Sequence, residues 1–527
     1  MAHPTWLTPR LPRWNRPLLP QILAVLATAG GVAAGQPAVA LEELELRLPL
    51  VNTPLVVKLA ELGNGQSLLA GSSDLAELDR ATDGAIGRMV LQLFNHPIAL
   101  PSGVSRGLAG AVGSPLLHEA LLATTALVKI DGIPTDLSGE ALSEALSTSE
   151  QEGSVTLLNL LRAMPGTRAS VDLGRAAFVL NRLQRQQQPA ADLLARRQRV
   201  AADPEANRIG PYAVNRRQLQ LAVRHRSQPL RGVALLPQGK LPIGLVVISH
   251  GLWDAPVNFE GWGQHLASHG YAVLLPEHPG SDSAQQAAML SGAIPPPAPE
   301  ELGLRPLDIS ALLDAVAEDR LGLGALPSER TVVLGHSWGA ITAMQLAGLK
   351  PSAGRLQRHC GNLDDPELNV SWILQCSFLQ TANEAAVADQ RVRGVVAVSP
   401  PLRLLFEHGA SESMHARAVV VSGSKDWVVP FGPEALHPFL AVSEIRGHQL
   451  VLADGGTHFN LRPGAAADEA VLRALMLTWV RQVLAAGDTA RPATGAPPLL
   501  PPSGWGDPDR PLIEATPART AAAPGQP

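Results

Sequence analysis

The chain reads as an α/β protein: a mostly parallel central sheet with helices on both faces, preceded by a small, mainly helical domain. Three observations carry that reading. From about Arg217, short runs of Val, Ile and Leu alternate with segments of helical spacing, the pattern of successive βαβ units. Inside that region the β-branched run Thr331-Val332-Val333-Leu334 leads into Gly335-His336-Ser337-Trp338-Gly339, and Ile341, Met344, Gln345 and Leu349 then fall at helical spacing. Residues 41–173, by contrast, show short helical segments punctuated by Gly, Pro, Ser and Asp.

At the N-terminus, residues 1–40 have the parts of a secretory signal. Arg10, Arg13 and Arg16 are basic, 18–34 is mostly apolar, and Ala38-Val39-Ala40 is an A-x-A cleavage pattern. Pro20 and Gln21 interrupt the apolar run, which is shorter than the ~20 residues that span a bilayer. The expectation is export, to a periplasmic or extracellular location. In 41–173, Leu44, Leu46, Leu48 and Leu50 alternate with other residues and predict a strand. Helices are expected over 54–62, 75–79, 86–94, 116–129, 137–146 and 156–163. His96 and His118 stand alone, and no catalytic constellation forms there.

Residues 174–216 read as a linker helix and loop. Arg182, Arg185, Arg196, Arg197 and Arg199 make 175–199 basic, which suits either a solvated connector or a peripheral contact with an anionic membrane. The α/β domain is expected over 217–486. Its strands are predicted at 218–224, 230–236, 243–249, 272–276, 392–399, 418–422 and 450–453, and helices at 259–268, 307–319 and 471–484. Insertions at 281–305 and 351–390 interrupt the rhythm. The second holds Cys360 and Cys376, which in an exported chain predict a disulfide rather than half a metal site. From 487 to 527 the chain is rich in Pro and Ala and is expected to be disordered.

The formal net charge of -5 leaves no basic stripe to neutralise phosphates, which argues against a nucleic-acid partner. The chemistry centres on the G-x-S-x-G between strand and helix, the context of a nucleophile elbow. A serine is a weak nucleophile at neutral pH and needs a base, which in turn needs an orienting acid. In chain order the acid and the base follow the serine on loops after later strands. Asp426 lies after 418–422 and His458 after 450–453. Asp454 is the competing acid but reads as a turn residue, and His336 reads as structural. The oxyanion donors are expected to be the backbone N–H groups of Trp338 and Leu252, the latter in His250-Gly251-Leu252-Trp253. Trp253, Trp338, Trp427 and Phe459 suit either an apolar acyl pocket or core packing.

Ser249-His250-Gly251-Leu252, His265-Leu266-Ala267-Ser268-His269-Gly270-Tyr271-Ala272-Val273, Pro276-Glu277-His278 and the G-H-S-aromatic-G elbow together resemble the platelet-activating-factor acetylhydrolase group of α/β hydrolases and its dienelactone-hydrolase-like relatives. The resemblance spans about residues 230–460. It implies the α/β-hydrolase fold, a triad of Ser337, Asp426 and His458, oxyanion donors at Leu252 and Trp338, and hydrolysis of short-acyl or lipid esters without metal or cofactor. The N-terminal unit resembles the helical domain of unknown function that precedes such hydrolases in some exported bacterial proteins. Lactone, dienelactone or polyester hydrolysis is the alternative chemistry, and a non-catalytic scaffold that binds a partner or membrane surface is the alternative of another class.

Overall fold

The structure is a computed structural model that describes residues 40–47, 53–98, 100, 104–125, 128–130, 139–151, 153–441 and 445–517. The signal-like segment up to residue 39 and the last ten residues of the chain lie outside the described residues. By backbone contacts the chain divides into two compact units. One takes its described residues from the chain up to Ala109 and from Thr124–Gly174; the other holds Gly110–Ala123 and the chain from Arg175 onward. The 110–123 segment, which sequence spacing assigned to the N-terminal unit, is therefore counted with the larger one.

The first unit combines helices with a four-stranded sheet. Its strands are β1 Glu43–Arg47, β2 Leu55–Lys58, β3 Val128–Ile130 and β4 Arg168–Asp172, in the order β2-β1-β4-β3. Helical spacing over 54–62 fails here. Leu55-Val56-Val57 pairs antiparallel with β1, and the Val56 N–H donates to Asp74 at 2.7 Å, leaving a short 3-10 turn at Leu59–Gly63. Pairing with β1 overrides local propensity.

The larger unit is built on a nine-stranded sheet: β5 Val214–Leu221, β6 Leu230–Pro237, β7 Leu245–Ser249, β8 Ala272–Pro276, β9 Thr331–His336, β10 Val392–Val398, β11 Arg417–Gly423, β12 Gln449–Ala453 and β13 Leu512–Glu514. The order is β13-β12-β11-β10-β9-β7-β8-β6-β5. The strands from β8 to β12 pair in parallel, while β5, β6 and β13 add antiparallel edges. Alternate side chains feed two cores. Val333, Ala418 and Val420 pack on one face, and Val332, Leu334, Val419 and Val421 on the other. Both faces are covered, so the parallel strands read as continuous apolar runs. Parallel pairing also brings the C-terminal ends of β7, β9, β11 and β12 to one rim.

Further segments depart from the sequence reading, among them the helix expected over 116–129, which ends at Thr125 before the strand Val128–Ile130. The basic helix Leu173–Arg196 is not free of contacts on every side: Arg182 donates to the carbonyls of Leu363 and Asp365, both at 3.1 Å, and Gln186 to those of Pro366 and Leu368. It clamps the 351–390 insertion, because that loop's carbonyls need donors once buried. The helix expected at 307–319 begins at Glu301, with Pro306 inside it. Proline cannot donate to the carbonyl four residues back. Here the carbonyl of Leu302 accepts instead from Gln345 at 3.1 Å, so the helix runs through. Finally, 487–517 is ordered rather than disordered. β13 pairs with β12, Trp505 is buried, and Asp507 accepts from the backbone N–H of Leu472, Asp509 and Arg510. A Pro-rich composition hides the few apolar residues that cover an otherwise exposed sheet edge.

Candidate active site

The strand β9 ends in a turn that only small residues can line. Ser337 has φ 54° and ψ -121°, a conformation that side chains rarely adopt. A Cβ on Gly335 would lie 2.1 Å from the Gly339 carbonyl oxygen, and one on Gly339 would lie 2.0 Å from that of Ser249. The two glycines let the chain reverse so tightly that the serine is held at the tip, with strain stored at the position that would do chemistry. The helix Trp338–Leu346 starts immediately behind it, so its first unpaired N–H groups and dipole favour negative charge beside Ser337.

The loops after β11 and β12 bring the other two predicted residues to it. His458 Nε2 lies 3.1 Å from Ser337 Oγ, and His458 Nδ1 lies 3.1 Å from Asp426 Oδ2. Asp426 is fully buried, and its other oxygen accepts from the N–H groups of Val428 and Val429 at 3.0 and 2.8 Å. Those bonds leave Oδ2 free to face the ring. The two loops are locked together, since Ser424 N–H donates to Ala453 O and Lys425 N–H to Gly456 O. A Cβ on Gly423 would meet Gly456 O at 2.3 Å, which is why small residues stand there. Asp454, the rival acid, instead pairs with Arg199 at 3.1 Å. His336 donates from Nε2 to the carbonyl of His458 at 2.8 Å. Burial first, then the neighbouring His458, pushes its pKa well below the usual range, so it braces the loop as a neutral ring.

Gly251 packs against the elbow: a Cβ there would stand 3.4 Å from Ser337 Cβ. Of the expected oxyanion donors, Trp338 follows the serine directly in the chain and Leu252 follows Gly251. Trp253 has φ 55°, and its N–H donates to Ser281 O at 2.8 Å, strapping this loop to the one after β8. Arg462, next to the His458 turn, pairs with Asp254 at 3.0 Å and ties the same loop from the other side.

Residues 244–353 match the family model described as the alpha/beta hydrolase fold. The chain has the α/β-hydrolase fold. That match and the mixed sheet support a hydrolase, and no curated protein matches the chain. The matched stretch runs from the start of β7 through the elbow helix, and so includes Leu252, Ser337 and Trp338. Asp426 and His458 lie beyond it.

The fold carries an addition near the site. Cys360 and Cys376 form a disulfide in the 351–390 insertion. The helix Ser371–Ser377 ends at Phe378, whose ring lies 4.9 Å from that of Trp338. Glu434, fully buried on the segment after Asp426, holds the insertion from below. It accepts from Asn369, Ser371 and Trp372, and from the backbone N–H groups of Leu402 and Arg403. Burial pushes its carboxyl above the usual range against those donors. Glu434 and the buried Arg305, His278 and Asp308 support the loops around Ser337, and sequence reasoning singled out none of them as functional. For His278 alone a signal existed, its place in Pro276-Glu277-His278 directly after β8.

Among the described residues no helix is long and apolar enough to cross a membrane. The disulfide is compatible with an exported protein.

Proposed function

We propose that the protein is an exported serine carboxylester hydrolase that works through an acyl-enzyme on short-acyl or lipid esters, in the manner of the acetylhydrolase group it resembles. The observation that carries the reading is the unbroken chain from a strained, helix-backed Ser337 through His458 to Asp426, with 3.1 Å at each step. Ser337 Oγ attacks the ester carbonyl carbon while His458 Nε2 takes its proton, and Asp426 holds the ring through Nδ1. The tetrahedral oxyanion is held by the N–H groups of Leu252 and Trp338. Collapse breaks the bond to the alkoxy oxygen, which leaves with the proton from His458. Water, activated by the same ring, then attacks the acyl carbon, and Ser337 regains its proton.

An apolar rim supports an ester with hydrophobic parts. Phe459 is 52% exposed, and its ring stands edge-on to His458 at 5.6 Å between centroids. Leu252 and Trp253, on the loop after β7, are partly exposed as well. The proposal is tested with a series of p-nitrophenyl esters of increasing acyl length. Turnover that is fastest for acetyl and butyryl esters, and is lost in Ser337→Ala by at least about a thousandfold, is the expected result. Equal turnover by the folded Ser337→Ala variant overturns it.

A further inference from the structure

Resting on that reading, we propose that Arg305 is the positioning residue for both oxyanion donors. It sits on the helix Glu301–Ala317, has no exposed surface, and touches the two halves of the oxyanion site at once. On one side its Nη2 donates to the carbonyl of Gly251 at 3.2 Å. On the other its guanidinium lies over the indole of Trp338, 4.8 Å from the ring centroid. Nε and Nη1 have no hydrogen-bond acceptor among the described residues, which leaves the contact with the indole as the interaction on that side.

The direction of the first contact is what matters. Among the described residues there is no cis peptide bond, so the Gly251 carbonyl and the Leu252 N–H point in opposite directions within one plane. The carbonyl is drawn inward by two donors. One is Arg305. The other is His250, whose Nδ1 lies 2.8 Å from the Gly251 oxygen. The backbone N–H of His278 donates to His250 Nε2 at 3.1 Å, which makes that nitrogen the acceptor and leaves the proton on Nδ1. Burial and the nearby Arg305 push the His250 pKa well below the usual range, which keeps this neutral tautomer. With the carbonyl pinned inward, the Leu252 N–H faces the opposite way, on the side of a loop already packed against Ser337. Leu252 N–H has no acceptor among the described residues, as a donor reserved for a reaction intermediate should.

The same contact fixes Trp338. Its indole is in contact with both Arg305 and the tilted ring of Phe378, so the first residue of the elbow helix cannot turn without disturbing both. Glu301 and Asp308, one helical turn to either side of Arg305, balance its charge, and they are themselves held by Arg226. Proline at 306 matters here too: the helix continues through it because Gln345 takes the vacated carbonyl, and that continuity puts Arg305 beneath the oxyanion loop.

The experiment compares wild type with Arg305→Met and Arg305→Lys, using p-nitrophenyl butyrate turnover and inhibition by an alkyl boronic acid. The boronic acid bonds to the serine oxygen and leaves a tetrahedral adduct whose oxygen occupies the oxyanion site. In Arg305→Met, kcat is expected to fall by about a hundredfold, the scale of losing one oxyanion donor, with KM within threefold. The boronic acid should weaken by a similar factor, and Arg305→Lys should recover part of both. A folded Met variant with kcat and boronic acid affinity within threefold of wild type overturns the proposal. So does a parallel change in kcat and KM at unchanged boronic acid affinity, the mark of a merely structural residue. If the Met variant does not fold, Arg305→Lys decides on the same two readouts, with at least a tenfold loss in both expected and no change contradicting it. Loss of the underlying reading looks different: wild-type turnover would then persist in Ser337→Ala, whatever Arg305 does.

Discussion

Two Ser-His-Asp chains stand among the described residues. In one, Ser337 Oγ, His458 and Asp426 are linked at 3.1 and 3.1 Å. In the other, Ser249 Oγ lies 2.9 Å from His278 Nε2, and His278 Nδ1 lies 2.9 Å from Asp308. The connectivity is the same and the second is, if anything, tighter. Yet Ser249 is the last residue of a regular strand and has no exposed surface, whereas Ser337 is lifted on a strained turn and is 8% exposed. The acids differ as well. Asp426 is held by two backbone N–H groups, so its charge is available to an imidazolium on His458. Asp308 is already matched by Arg226 and His225, at 2.7 and 2.8 Å. Those partners, with His278, outweigh burial and hold its carboxyl well below the usual range. In the proposed mechanism a hydrogen-bonded triad is therefore not sufficient for nucleophilic chemistry: access, an anion-receptive helix end and an acid not already neutralised are what set the Ser337 arrangement apart from the Ser249 one.

Substitution at the two acids should separate these roles most sharply. Asp426→Asn is expected to lower kcat by about 10⁴-fold, because the ring loses its tautomer and its counter-charge. Its cost in stability should be at most about 1 kcal/mol, since the amide oxygen still accepts from Val428 and Val429. Asp308→Asn should do the reverse to the fold, leaving Arg226 and Arg305 buried beside too little negative charge at a cost of about 3–5 kcal/mol. Urea unfolding beside ester turnover checks both. Equal activity losses at matched stability would erase the distinction.

A smaller effect follows from pH. Burial, followed by Arg305, holds His278 down to about 4, and burial, followed by Arg417, holds His448 down to about 4. The unfolded chain protonates these rings near pH 6.5 while the folded chain resists until about 4. The stability they confer is therefore complete above pH 6.5 and is lost as pH falls from there to about 4. Melting temperature should drop across that window. His448→Gln should shallow the fall by on the order of 2–3 kcal/mol, and an unchanged slope would contradict the assignment.

Much of this was legible in the residues. The elbow, the two loop residues that meet it and the glycines that permit the approach all announce themselves through spacing, because sterics at a sharp turn restrict residue choice. The parallel strands are legible for a similar reason: buried on both faces, they are apolar throughout. What failed were segments whose state is set by a distant partner. Leu55-Val56-Val57 is a strand because β1 lies beside it. The helix through Pro306 survives because Gln345 is within reach. The 512–514 strand orders because β12 has a free edge, and Arg182 is buried because the insertion presents carbonyls to it. Arg305 belongs with these. A lone arginine before a proline carries no local signal, and its meaning comes from Gly251 and Trp338, far apart in sequence and both in contact with it.

The most direct test of the contrast between the two serines is covalent labelling of the folded protein with an alkyl fluorophosphonate, followed by peptide mass spectrometry. Ser337 Oγ should bond to phosphorus with loss of fluoride, giving one adduct on the peptide that contains Ser337 and none on the peptide that contains Ser249. An adduct on Ser249, or no adduct at Ser337 in folded protein, would contradict the account.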